Sequence, residues 1–238
     1  MARNTIQSGV LDSIGLSIVE QRYPPGHVFR SEDWETEFDV SRTVLREALK
    51  VLESMRLISM RRKVGITVLP ETQWNVFDPR VIRWRLLSAD RQRQIHSLTE
   101  LRLAVEPVAA RNAASRAASV DRVALLYHAT QLENAGVEAD LERLHHNDVA
   151  FHRLLLAASG NELFLALSEL VAEVLPVTGH LVHDTIPEQQ TAPPRHLHTI
   201  AAQAIVDGDA TAAEQAMREL LVEVQEQMDL AYQRRSDS

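Results

Sequence analysis

The sequence predicts a mainly α protein in two parts: a small N-terminal module of helices and one β-hairpin, then a larger all-α helical bundle. Three observations predict it. Before residue 70 helical spacing gives way to two short β-rich runs around a glycine, whereas from about residue 78 the apolar period is helical throughout, with breaks but no strands. The charge divides at the same place. Residues 1–70 carry ten Lys+Arg against nine Asp+Glu, leaving fifteen against twenty-four for the rest, so the formal charge of −8 belongs to the second part. The expected organisation is a module over 1–70, a linker over 71–78 and a helical domain over 79–238.

Taken in order, Ile6, Val10, Ile14, Ile18 and Val19 recur at helical spacing, and that helix must stop by Pro24-Pro25-Gly26. Ser31 followed by Glu32 to Phe38 reads as a short second helix with an N-cap and early acids. Asp39-Val40-Ser41 is a turn whose serine caps a third helix over 42–55. Leu57-Ile58-Ser59-Met60, the turn Arg61 to Gly65 and Ile66-Thr67-Val68-Leu69 read as strand, turn, strand. Together these make a winged helix-turn-helix. In the linker, Trp74 and Phe77 suggest packing against a surface. Beyond it, helices are expected near 78–88, 92–117, 119–134, 138–159, 161–184, 194–207 and 210–233, with Ser119, Asp140 or Asn161, and Asp209 as caps. Pro187, Pro193-Pro194 and Gly208 mark boundaries.

At 238 residues and 45% hydrophobic content the chain can bury a real core. It shows no apolar run of about 18 residues and no cleavable leader, so neither a membrane span nor a secretory signal is indicated and a cytoplasmic location is expected. Zero cysteines exclude disulfides and thiolate zinc sites, leaving His, Asp and Glu as strong metal ligands.

Arg42, Arg46 and Lys50 fall at successive i, i+4 positions, opposite Val44, Leu45, Ala48, Leu49 and Leu52. Residues 41–63 carry seven Lys+Arg against Glu47 and Glu53. Such a patch is either a solvated face or one that an anionic backbone selects by counterion release.

The stretch FRSEDWETEFDVSRTVLREALKVLESMRLISMRRKVGITV resembles the DNA-binding domain of GntR-type bacterial regulators: an acid-containing helix, SRxxxREAL, then a glycine-bearing wing. DVAFHRLLLAASGN and HTIAAQAIVDGDATAAEQAM resemble the all-helical, FCD-type effector domain of the FadR-like branch. WNVFDPRVIRW is similar to the subgroup that responds to sugar acids such as galactonate. The resemblance implies a homodimer on a double-stranded DNA operator, with Ser41, Arg42, Thr43 and Arg46 at base edges or phosphate and Arg62, Lys63 and Gly65 on the wing. Relatives often carry a basic residue where Asp33 stands, and an acid there would repel phosphate.

Nine of the ten histidines lie between His96 and His198. Asp148 and His152, at i, i+4, face one way on a helix, as two ligands of one cation require, although such a pair also serves as a plain surface hydrogen bond. The resemblance completes the pair with His198 and with a further histidine at the position of Leu220, which cannot ligate. Two readings stay open. Asp148, His152 and His198 hold Zn²⁺ or a similar divalent ion with open positions for an effector carboxylate and hydroxyl, or the metal is lost and polar groups bind effector directly. His145, His146, His183 and His196 are candidate substitutes for the missing ligand. Arg102, in ELRLAVEPVAAR, resembles the arginine that points into the family's effector cavity, with Glu106 one turn on to orient it or bond a hydroxyl. The alternative is an ordinary surface ion pair between the two.

The expected function is a transcription regulator whose operator affinity responds to a small carboxylate, and not an enzyme. The rivals are a metal-dependent enzyme with a DNA-binding appendage, which lacks a visible general base or nucleophile, and a constitutive architectural DNA-binding protein.

Overall fold

The computed structural model describes residues 2–185 and 196–236, with side chains for 9–178 and 196–234. The chain divides into two compact units, Met1–Gln94 and Ile95–Ser238. The boundaries expected at Pro187 and Pro193-Pro194, and the side chain of His183, lie outside the described residues.

The first unit contains α1 (Ala2–Val19), β1 (Val28–Phe29), α2 (Ser31–Glu37), α3 (Arg42–Ser54), β2 (Ile58–Arg61), β3 (Gly65–Val68), a 3-10 turn at Glu71–Gln73 and α4 (Pro79–Leu87). The wing has one more strand than the sequence predicts. β1 pairs antiparallel with β3, Phe29 opposite Ile66, to give the order β1-β3-β2. Two residues are too few for a period-2 signal.

Three helical starts follow local chemistry. The Ser41 hydroxyl accepts from the Val44 N–H at 3.4 Å, capping α3 as expected. Ser31 proves to be the first helical residue of α2, and Asp33 accepts from the Arg30 N–H at 2.9 Å, so its carboxylate is committed to the helix start. Asp78 caps α4 by accepting from the Arg80 N–H at 2.9 Å, with Pro79 at the first helical position.

α4 does not open the helical domain. Its Trp84 is buried in the first unit's core with Ile14, Ile18, Leu45 and Leu52, and its indole N–H donates to Asp12 at 3.1 Å. A Cβ on Gly15 would stand 2.4 Å from the Trp84 ring, so the close approach of α1 and α4 needs that glycine. The first compact unit thus runs to Gln94, past both the expected module end at 70 and the expected linker over 71–78, because the apolar face of α4 finds its partner in α1. Trp74 is buried and its indole donates to the Leu69 carbonyl at 2.9 Å, whereas Phe77 is exposed.

The second part is helical: α5 (Arg91–Arg116), in which the division between units falls, α6 (Ser119–Glu138), α7 (Leu141–Ala158), α8 (Glu162–Ala166), α9 (Ser168–Thr185), α10 (Leu197–Asp207) and α11 (Ala210–Ser236). The single helix expected over 161–184 is two, α8 and α9. Asp140, Asn161 and Asp209 cap α7, α8 and α11. Ser119 does not cap α6, whose N-cap is Ala118. The core packs Phe151, Leu155, Leu156, Ile205 and Leu221 among alanines of α5, α10 and α11, small residues that let helix backbones approach closely. Arg122 donates to the carbonyls of Ala114 at 2.7 Å and Val206 at 3.3 Å, satisfying carbonyls near the ends of α5 and α10. No described helix is long and apolar enough to cross a membrane.

Candidate functional site

Two places gather the chemistry singled out in the sequence, one in each unit. In the first, α3 buries Leu45, Ala48, Leu49 and Leu52 and leaves Ser41, Arg42, Thr43, Arg46 and Lys50 exposed, so the amphipathic reading of this helix holds. Lys50 pairs with Glu47 at 2.8 Å. Arg62 and Lys63 are exposed at the β2–β3 turn. Gly65 is the first residue of β3, with φ +110°, and a Cβ there would lie 2.8 Å from the Phe29 carbonyl. Its lack of a side chain is thus required by the third strand.

In the second unit, Asp148 and His152 on α7 meet His198 on α10, and one ligand atom from each lies within 4.8 Å of the others. Asp148 Oδ1 is 3.4 Å from His152 Nε2 and 3.3 Å from His198 Nε2. His198 Nε2 is buried and makes no hydrogen bond, since the Asp148 contact falls outside hydrogen-bonding geometry. A buried ring nitrogen with no partner, facing a carboxylate and a second imidazole, fits a cation ligand.

Behind this cluster stands a buried ion pair. Arg102 Nε donates to Glu106 Oε1 at 2.8 Å, and both side chains are buried, so the pair is neither a surface salt bridge nor freely presented to a ligand. The other carboxylate oxygen, Glu106 Oε2, is 2.7 Å from His152 Nδ1. Arg102 Nη2 is 3.3 Å from His152 Nε2. His152 therefore stands with the Glu106 carboxylate at one ring nitrogen and with Arg102 and Asp148 at the other. A carboxylate at Nδ1 orients the ring so that Nε2 faces Asp148, an arrangement that suits a metal ligand backed by a carboxylate.

The electrostatics follow. Burial opposes charge on Asp148, but the imidazoles of His152 and His198 hold its carboxyl well below the usual range. Burial likewise opposes charge on Glu106, and Arg102 and His152 bring it down to about 2. For His152 burial works against protonation and the Glu106 carboxylate overrides it, raising the pKa. For His198 burial wins over Asp148 and lowers it, favouring the neutral form that ligates metals.

The cluster opens into a cavity of about 290 Å³ lined also by Arg102, His145, Thr178, Leu220 and Gln227. Leu220 therefore lines the same cavity as the three ligand candidates. Of the substitutes for the missing ligand, His145 is on the cavity wall, His146 is exposed, and His196 is exposed and pairs with Glu133 at 3.2 Å. The role of Glu106 as the link between Arg102 and His152 is new. Its i, i+4 spacing from Arg102 is visible in the sequence, but the contact with His152 crosses from α5 to α7.

A winged helix-turn-helix in one unit, and in the other an all-α bundle around a largely enclosed Asp-His-His cluster, define a class of DNA-binding transcriptional regulator. The chain belongs to the GntR family: residues 6–68 match the bacterial regulatory proteins of the gntR family and residues 97–223 match the FCD domain. It is 32% identical over 217 residues to the galactonate operon transcriptional repressor of Escherichia coli K12, covering 87% of this chain and 90% of that one. It is 33% identical over 138 residues to the HTH-type transcriptional regulator LutR of Bacillus subtilis 168, covering 58% and 60%. A solved Listeria monocytogenes structure, described as Lar controlling the expression of the agr system, shares the fold at TM-score 0.60 and 15% identity, with 95% and 96% coverage. Both families are of transcriptional regulators, so the chain is a regulator and not an enzyme, and the metal-dependent enzyme reading is not retained.

Proposed function

We propose that this regulator binds a two-fold operator as a homodimer and changes its operator affinity when a small carboxylate enters the cavity of the helical unit. Asp148, His152 and His198 would hold a divalent cation such as Zn²⁺, which supplies a Lewis-acidic anchor for the effector carboxylate. The observation that carries this reading is the buried, unbonded His198 Nε2 aimed at Asp148 and His152. Arg102, fixed by Glu106, adds positive charge on the same wall, and Glu106 orients His152 instead of touching effector. The relative named for the galactonate operon supports a small hydroxy acid as the class.

On the DNA side, Arg42 and Arg46 donate to guanine edges or phosphate, Ser41 and Thr43 make shorter contacts, and Arg62 and Lys63 hold the backbone from the wing, with Gly65 shaping it. Asp33 does not oppose docking as a free acid would, because it is engaged at the start of α2.

The test is operator release in the presence of candidate carboxylates, combined with mass spectrometry of metal retained by native protein. Retained divalent metal and release by at least one carboxylate support the reading. Operator affinity unaffected by every acid tried would favour the constitutive architectural protein.

A further inference from the structure

Helix α6 is apolar on two opposite sides. Leu125, Ala129 and Ala135 are buried in the helical unit. On the far side Val120, Val123, Tyr127, Thr130, Asn134 and Val137 are all exposed, at alternating steps of three and four residues. Such spacing keeps one seam along a helix and is the pattern by which two helices pack on each other. Four of the six side chains are apolar: Val120 is 72% exposed, Val123 67%, Tyr127 57% and Val137 84%. The Thr130 hydroxyl donates to the Leu126 carbonyl at 2.9 Å, so its polar group is satisfied within the helix. An ordinary solvated face has a different composition. The exposed seam of α11, Thr211, Gln215, Arg218, Val222, Glu226 and Asp229, holds a single apolar residue. Isolated surface valines need no explanation, but a continuous row of them does.

The row is complementary to itself. Set antiparallel against a second copy, about a two-fold axis passing between Tyr127 and Thr130, it brings Val120 opposite Val137, Val123 opposite Asn134 and Tyr127 opposite Thr130, each pair made twice. Charge favours this direction. Glu133 and Glu138 are the acids flanking the seam. In the antiparallel register Glu133 faces Ala124, and Glu138 faces Ser119 in the first turn of the other helix, where a carboxylate is favourable. A parallel register would set Glu133 against Glu138 of the second copy on both flanks, a like-charge contact that weakens pairing. Glu138 also pairs with Arg143 at 2.7 Å, which softens that preference without reversing it.

Resting on the homodimer reading above, we infer that the exposed row of α6 is where two copies of this chain meet, packed antiparallel with Val120 of each against Val137 of the other.

The chain has no cysteine, so engineered ones report without background in the full protein. With Val120→Cys and Val137→Cys combined, the short reagent bismaleimidoethane should convert most of the protein to a covalent dimer on a denaturing gel, whereas neither single variant should. Along one helix the two positions lie about 25 Å apart, too far for the reagent to bridge within a chain. Val123→Glu should turn the dimer into a monomer by light scattering, with helicity unchanged. Efficient cross-linking of either single variant would align the helices in parallel and overturn the register. No cross-link in the double variant, or a Val123→Glu protein that stays dimeric, overturns the interface while leaving the homodimer reading intact. Wild-type protein that is monomeric with and without operator removes the homodimer reading and this inference with it.

Discussion

Glu106 and His152, forty-six residues apart in sequence, meet at 2.7 Å between Oε2 and Nδ1, both side chains buried. One carboxylate thereby sets the orientation of a metal-ligand candidate and, through its other oxygen, of Arg102. Glu106→Gln keeps the volume and removes the charge. It is expected to lower divalent-metal affinity by roughly 10–100-fold, read by chelator competition, with operator affinity of the effector-free protein unchanged. Unchanged metal affinity would show that His152 needs no carboxylate behind it.

His152→Ala is expected to abolish metal retention and effector-induced operator release together, since a three-ligand site reduced to two falls below useful affinity. Operator binding without effector should persist, because His152 lies in the helical unit. Normal effector response in this variant would mean that the cavity binds its acid without metal.

Leu220→His should tighten the metal site. Leu220 lines the cavity that the three candidate ligands line, so a histidine there can supply a fourth donor. An unchanged or weakened metal affinity in the chelator assay would show that the wall at 220 does not reach the cation.

Arg46→Ala is expected to weaken operator binding by roughly 1–3 kcal/mol with unchanged helicity, as Arg46 is exposed on α3. A binding curve identical to wild type across a salt series would place Arg46 outside the interface. Light scattering at micromolar concentration should give twice the chain mass of 26.8 kDa; a monomer that remains so with operator DNA contradicts the dimer.

Gly15→Ala should destabilise the first unit by about 1–3 kcal/mol in a thermal or denaturant melt, since the added methyl would collide with the buried Trp84 ring at 2.4 Å. No change would mean that α4 shifts away from α1 at no cost.

Helix α3 and the β2–β3 hairpin were legible because their signals are local: a serine cap, an amphipathic period and a glycine between β-branched runs. Strand β1 and the membership of α4 were not, since a two-residue strand carries no period and a tryptophan facing a glycine from a distant helix is a tertiary fact. The site divides in the same way. Asp148 and His152 share one helix and show in the spacing, and His198 came through the resemblance. The contact of Glu106 with His152, and the cavity beside it, arise only when α5, α6, α7, α9, α10 and α11 converge.

The Arg102–Glu106 pair has a consequence for charge neutrality. Their formal charges cancel, so Asp148 alone sets the balance opposite a bound ion. A divalent cation there would leave the pocket with one uncompensated positive charge, which a single monoanion neutralises. An acid carrying two carboxylates would leave the pocket with one uncompensated negative charge.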